Sequence, residues 1–170
     1  AINNVGYKNK IFMALDCAAS EFFYSDYYKI NSKEYSPGQL IDFYKSLVGK
    51  YKIISIEDGM AEDHWNGWQQ LNKELGNKIQ IVGDDLLVTN VKRIGQAIDE
   101  KVCNSLLLKV NQIGTVTEAM DAAELASKNK WSVVVSHRSG ETEDSFIADL
   151  VVGLNSNQSI NYKQFKHANI

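Results

Sequence analysis

Five short apolar runs, at residues 11–16, 52–58, 79–85, 105–110 and 132–137, alternate with stretches whose apolar residues follow a helical stripe. A run that is apolar at successive positions suits a strand buried on both faces, whereas a helix spaces its apolar residues by turns. Strand, helix, strand, helix, repeated in this way, predicts a parallel sheet in an α/β architecture. Each run also ends in a polar residue that its neighbours do not call for: Asp16, Glu57 with Asp58, Asp84 with Asp85, Lys109 and His137. The carboxyl ends of successive parallel strands share one rim, where barrels and open sheets alike place their sites.

The helical stretches carry their own start signals. Ser36-Pro37 pairs an N-cap with a first-turn proline, and Leu40, Ile41, Phe43, Tyr44, Leu47 and Val48 follow as a stripe. Asp63 is expected to cap the next helix, with Trp65, Trp68, Leu71 and Leu75 inward and Gly76 as its stop. Asn90 opens a third, carrying Val91, Ile94, Ala97 and Ile98. Thr115-Val116-Thr117-Glu118 has capping-box spacing ahead of Ala119, Met120, Ala123 and Ala126. A fifth helix is expected after Asp144. Residues 21–34 interrupt the alternation with an aromatic excursion, Phe22, Phe23, Tyr24, Tyr27 and Tyr28, which reads either as a small hairpin or as a packed loop.

Composition removes several function classes. The 170 residues suffice for one domain with a real core. A net charge of −3 leaves no basic footprint for nucleic acid. No apolar run approaches the roughly 18 residues of a membrane span. Residues 1–7 lack a charged segment followed by an apolar one, so no secretory leader is expected. Cys17 and Cys103 form no CxxC and no disulfide framework, which suits a reducing compartment such as the cytoplasm.

Asp16, Glu57 and Asp84 put three carboxylates on the shared rim. Hard oxygen donors in that number suit Mg²⁺, and their mutual repulsion would be costly without a cation. Taken singly, each acid reads as well as a cap for the turn that follows. Lys109 ends the run Leu106-Leu107-Leu108 and is placed to act as an amine base; the plainer alternative is a strand-end lysine reaching water. The densest chemistry is the nonapeptide Ser136–Asp144, between a strand and a helix. The His137 imidazole, the Arg138 fork and the hydroxyls of Ser136 and Ser139 together suit a small anion, phosphate or carboxylate. His64 and His167 read as solvated, and Trp65 and Trp68 as packing.

Five segments in order carry a family resemblance: Ala14–Phe22, Ser55-Ile56-Glu57-Asp58-Gly59, Val82-Gly83-Asp84-Asp85-Leu86, Leu108–Thr115 and Ser136–Asp144. Over residues 1–154 the chain resembles enolase, the phosphopyruvate hydratase family of glycolysis. The resemblance implies an incomplete (β/α)8 TIM-type barrel of about five βα units. It implies a lyase carrying out the Mg²⁺-dependent, reversible dehydration of 2-phosphoglycerate to phosphoenolpyruvate in the cytoplasm. Asp16, Glu57 and Asp84 would then hold Mg²⁺, and Lys109 would remove the C2 proton. Glu57, Asp84, Ser136, His137, Arg138 and Ser139 would line the substrate, with Arg138 and Ser139 on its phosphate.

The chain also departs from the family's pattern. The family's N-terminal domain and acid-side glutamates lie upstream of the aligned part. Where the family carries Gln-Ile-Lys-Thr-Gly, whose lysine contacts substrate, this chain reads Asn155–Lys163, and a gapless register sets Ile160 at the lysine position. A partial barrel over 1–154 with a divergent tail over 155–170, open at two sheet edges and inactive alone, is therefore expected. The alternative is a truncated, non-catalytic enolase paralogue acting as a binding or regulatory partner, as a homodimer or paired with full-length enolase. Another acid lyase or racemase of the superfamily is disfavoured by Arg138-Ser139, because those substrates need not carry phosphate.

Overall fold

All five apolar runs become strands in the computed structural model, which describes residues 2–7, 10–156 and 159–160. The fold is α/β, with parallel strands each followed by a helix in the manner of (β/α) barrel units. The chain divides into two compact units, Ala1–Val82 and Gly83–Ile170.

In the first unit, β1 (Met13–Asp16) pairs in parallel with β5 (Ile53–Glu57), and β5 pairs with β6 (Gln80–Gly83). The register sets Asp16 beside Glu57 and Glu57 beside Val82. β1 corrects the expectation of strands buried on both faces. Its residues are alternately half-buried and exposed, because among the described residues it pairs on one side only, with β5. Ile11 and Phe12 ahead of it are exposed as well. The aromatic excursion resolves as three antiparallel strands, β2 (Phe23–Tyr24), β3 (Tyr27–Ile30) and β4 (Lys33–Tyr35). Phe23 faces Tyr28 and Tyr28 faces Tyr35 across it, the aromatic cross-strand pairing that stabilises small sheets.

Helix α1 (Pro37–Lys50) starts as the sequence requires. The Ser36 hydroxyl accepts from the Gln39 N–H and the Gln39 side chain accepts from the Ser36 N–H, a reciprocal capping box. Helix α2 (Trp65–Leu75) starts differently. Its N-cap is His64, with no side-chain cap, so Asp63 does not cap it. Gly76 does end it, though in right-handed backbone. The unit's core gathers Leu40, Ile41, Tyr44, Ile56, Trp68, Leu71 and Ile81. Gly59 is required there: a Cβ would stand 2.8 Å from Leu71 Cδ2 and 2.9 Å from Ile56 Cγ2.

In the second unit, α3 (Val91–Glu100) is capped by Asn90, whose side chain accepts from the Lys92 and Arg93 N–H groups. Strand β7 (Ser105–Leu108) is buried at every position and pairs in parallel with β8 (Ser132–Ser136). Two serines mark where these strands begin. Ser132 Oγ donates to Ser105 Oγ at 2.9 Å, and Ser105 Oγ donates to the Ser132 carbonyl at 3.1 Å. A one-turn helix α4 (Val110–Ile113) precedes α5 (Val116–Lys128). Thr115 caps α5 as expected, but Met120 points outward and Ala122 joins Ala119, Ala123 and Ala126 in the buried face. Four small residues let the helix approach the sheet closely. Helix α6 (Phe146–Gly153) follows, with the Phe146 N–H bonded to Asp144 Oδ1 at 2.8 Å. No local pattern points to β9 (Ser159–Ile160), which pairs in parallel beside β8. That edge of β8 is therefore covered rather than open. The remainder of the expected tail, with His167, lies outside the described residues.

Candidate functional site

The polar strand-end residues fall at or within two steps of a strand terminus. Asp16 and Glu57 are the last residues of β1 and β5, Asp84 follows β6, Lys109 follows β7, and His137 follows β8.

In the first unit, Asp16 is exposed whereas Glu57 keeps only 6% of its surface. The Cys17 N–H donates to the Glu57 carbonyl at 2.9 Å, and the Asp58 N–H donates to the Val82 carbonyl at 3.1 Å. The backbone thus fixes the rim where β1 and β5 end. Asp58 is itself buried and sits in left-handed backbone, φ 44°. Burial pushes the Cys17 thiol up to about 11, a Tyr44 hydroxyl contact opposing this only partly.

A second polar cluster in this unit belongs to packing. Tyr28, fully buried, shares a hydrogen bond between its hydroxyl and His64 Nδ1 at 2.9 Å and accepts the Ala61 N–H at 3.1 Å. Trp68 Nε1 donates to the Ala61 carbonyl at 3.0 Å, and Phe23 stacks on the imidazole at 5.2 Å. His64 is thus half-buried and bonded rather than solvated, because the aromatic excursion covers it. Burial lowers its pKa, with Asp26 opposing.

The second unit brings predicted residues into direct contact. Asp84 and Lys109, distant in sequence, form an ion pair between Asp84 Oδ2 and Lys109 Nζ, with side chains only 10% and 13% exposed. The carboxylate read as a metal ligand and the amine read as a base are therefore partners. Asp84 opens a tight turn: its carbonyl accepts from the Leu87 N–H at 3.0 Å and the Val88 N–H at 2.8 Å. Gly83 ahead of it leaves room for Leu87, which a Cβ would meet at 2.8 Å.

Val88 and Thr89 close this turn in left-handed backbone, φ 44° and 55°. Left-handed backbone costs a β-branched residue about 1–3 kcal/mol, and such strain persists only where surrounding structure holds it. Thr89 is fully buried. Its Oγ1 accepts the Lys109 N–H at 3.0 Å and lies 3.2 Å from Gln112 Oε1. Sequence reasoning passed over Thr89. Its signal was a hydroxyl set between an apolar run and the Asn90 cap, which reads equally as turn chemistry.

The nonapeptide divides by depth. Ser136 is buried and donates its hydroxyl to the His137 carbonyl at 2.7 Å. His137 retains 6% exposure, and among the described residues its buried Nδ1 has no hydrogen-bond partner, an uncommon state for a polar atom. Arg138 and Ser139 are exposed, on a turn closed by the Glu141 N–H to the Arg138 carbonyl at 3.1 Å. Asn111, on α4, donates to Glu141 Oε2 at 2.7 Å and ties this turn to the segment that follows Lys109. A cavity of about 480 Å³ is lined here by Asn111, Ser136, His137, Glu141, Thr142 and Phe146.

No helix among the described residues is long and apolar enough to cross a membrane. The family model for the enolase C-terminal TIM barrel domain matches residues 1–163. The chain belongs to this family, and its described residues carry five of the eight βα units such a barrel contains.

Proposed function

From that membership we propose an enolase-type lyase chain that supplies the base, the cation ligands and the phosphate loop for 2-phosphoglycerate. The reaction is its reversible dehydration to phosphoenolpyruvate in glycolysis, in the cytoplasm. The observation that carries this reading is the buried Asp84–Lys109 pair: an amine base in contact with a carboxylate that suits a cation.

Asp16, Glu57 and Asp84 would be the residues that hold Mg²⁺. Their carboxylates are hard oxygen donors of the kind the ion takes, and Glu57 and Asp84 are buried, where negative charge needs compensation. When bound, the cation supplies positive charge to the substrate carboxylate as the C2 proton leaves. At Asp84 it would also take the place of the lysine ammonium as counter-charge. Lys109, as the neutral amine, would then take the C2 proton: the C–H bond breaks, an N–H bond forms at Nζ, and the electron pair stays with the substrate. Arg138 and Ser139, exposed on their turn, suit the phosphate, because guanidinium and hydroxyl donors both match its oxygens. His137 and Ser136 would wall the substrate beside them.

Proton removal can be read without the whole dehydration. In D₂O with Mg²⁺, the chain is expected to exchange the C2 proton of 2-phosphoglycerate for deuterium, seen as loss of its ¹H NMR signal. A C2 signal that persists as it does without protein would overturn the reading.

A further inference from the structure

We propose that Thr89 is a positioning residue for Lys109, and that the single segment Asp84–Thr89 holds this lysine at both ends. This rests on the proposed function, in which Lys109 is the base.

The geometry begins with a backbone problem. Lys109 stands where the β7 ladder has ended and α4 has just begun, and as N-cap of α4 it makes no side-chain cap. Its N–H therefore needs an acceptor from elsewhere. Thr89 Oγ1 provides it at 3.0 Å, from a residue with no exposed surface, so water does not compete for the bond. The hydroxyl has one proton, and Gln112 Oε1 at 3.2 Å takes it. That leaves the oxygen's lone pairs aimed at Lys109. The Leu107 carbonyl lies farther off, at 3.5 Å.

The backbone at this position points to the side chain as what is being kept. At φ 55° glycine would sit without strain, yet the residue is threonine, preceded by a second β-branched residue at φ 44°. The same turn begins at Asp84, whose carbonyl takes two of its N–H groups and whose carboxylate meets Lys109 Nζ. One short segment thus fixes the lysine's backbone with a hydroxyl and its amine with a carboxylate. Proton transfer demands such placement, since a base displaced by about 1 Å loses much of its rate.

The test compares Thr89→Val, which keeps the branched shape and loses the hydroxyl, with Thr89→Ser, which keeps the hydroxyl. Two quantities are measured: C2 deuterium exchange of 2-phosphoglycerate, and hydrogen–deuterium exchange at the Lys109 amide. Thr89→Val is expected to slow C2 exchange about tenfold with KM changed less than about twofold, and to speed Lys109 amide exchange about tenfold. Thr89→Ser is expected to recover most of both. Where valine does not fold, Thr89→Gly, which accepts the left-handed backbone, gives the same comparison. A hydroxyl-free variant that matches wild type in both quantities overturns the proposal, and so does a serine variant as impaired as valine. A wild-type chain without C2 exchange removes the functional reading instead, and the amide measurement still decides whether Thr89 holds Lys109.

Discussion

Two buried polar clusters, one in each unit, look alike in a list of hydrogen bonds and differ in physics. Around Tyr28, every group is neutral: a phenol, an imidazole, an indole and an amide satisfy one another among stacked rings. Around Lys109, a carboxylate and an ammonium meet in a buried setting, beside two β-branched residues held in left-handed backbone. The first arrangement stabilises a fold and asks nothing more. The second places charge where burial disfavours it and backbone where sterics disfavour it. Burial of polar atoms does not separate packing from chemistry; charge and strain together do.

That contrast can be broken by substitution. The largest expected effect is on proton transfer. Lys109→Met should lower C2 deuterium exchange by about 10²–10⁴-fold, the usual worth of a positioned base, whereas His64→Gln should leave it unchanged. Equal losses from both, measured by ¹H NMR at matched folded fraction, would erase the distinction. Next in size is stability. Tyr28→Phe strips the Ala61 N–H and His64 Nδ1 of their shared partner and should cost about 1–2 kcal/mol in urea unfolding, with C2 exchange untouched. An unchanged urea midpoint would mean that the rings alone carry the cluster.

The smallest effect is in pH. Burial lowers the His64 pKa, so the unfolded chain takes up a proton at a higher pH than the folded chain does. The contribution to stability is complete above the unfolded value of about 6.5 and is lost as pH falls towards the lowered folded value. Urea midpoints should therefore drop on acidification through this window more steeply in wild type than in His64→Gln. Parallel pH slopes for the two chains would remove His64 as the cause.

Much of this was legible in the sequence, and the division follows range. Strand runs, the Ser36-Pro37 and Asn90 caps and the polar strand ends are local signals, and all appear where expected. The rest depends on which distant residues meet. The hairpin of residues 23–35 needed the pairing of Phe23 with Tyr28, and His64 needed that hairpin above it. The apolar pattern of β1 gave no hint that pairing on one side would leave Ala14 exposed. Lys109 and Asp84 could be named as rim residues, but not as an ion pair, since nothing in either segment points to the other. β9 was hidden altogether: two residues, Ser159–Ile160, are too few to show a period.

The serine pair at the start of β7 and β8 bears on events at the opposite ends of those strands. The ladder runs from Ser105↔Ser132 to Leu108↔Val135, and the next residues along are Lys109 and Ser136. A slip of one residue would turn every side chain of a strand to its other face. In strands as uniformly aliphatic as these, neighbouring registers differ little in the oil they bury, so hydrophobicity is a poor judge between them. Two hydroxyls that fit only one alignment act as a key cut at the foot of the sheet, and the tolerance they set there is inherited by the amine and the imidazole at its top.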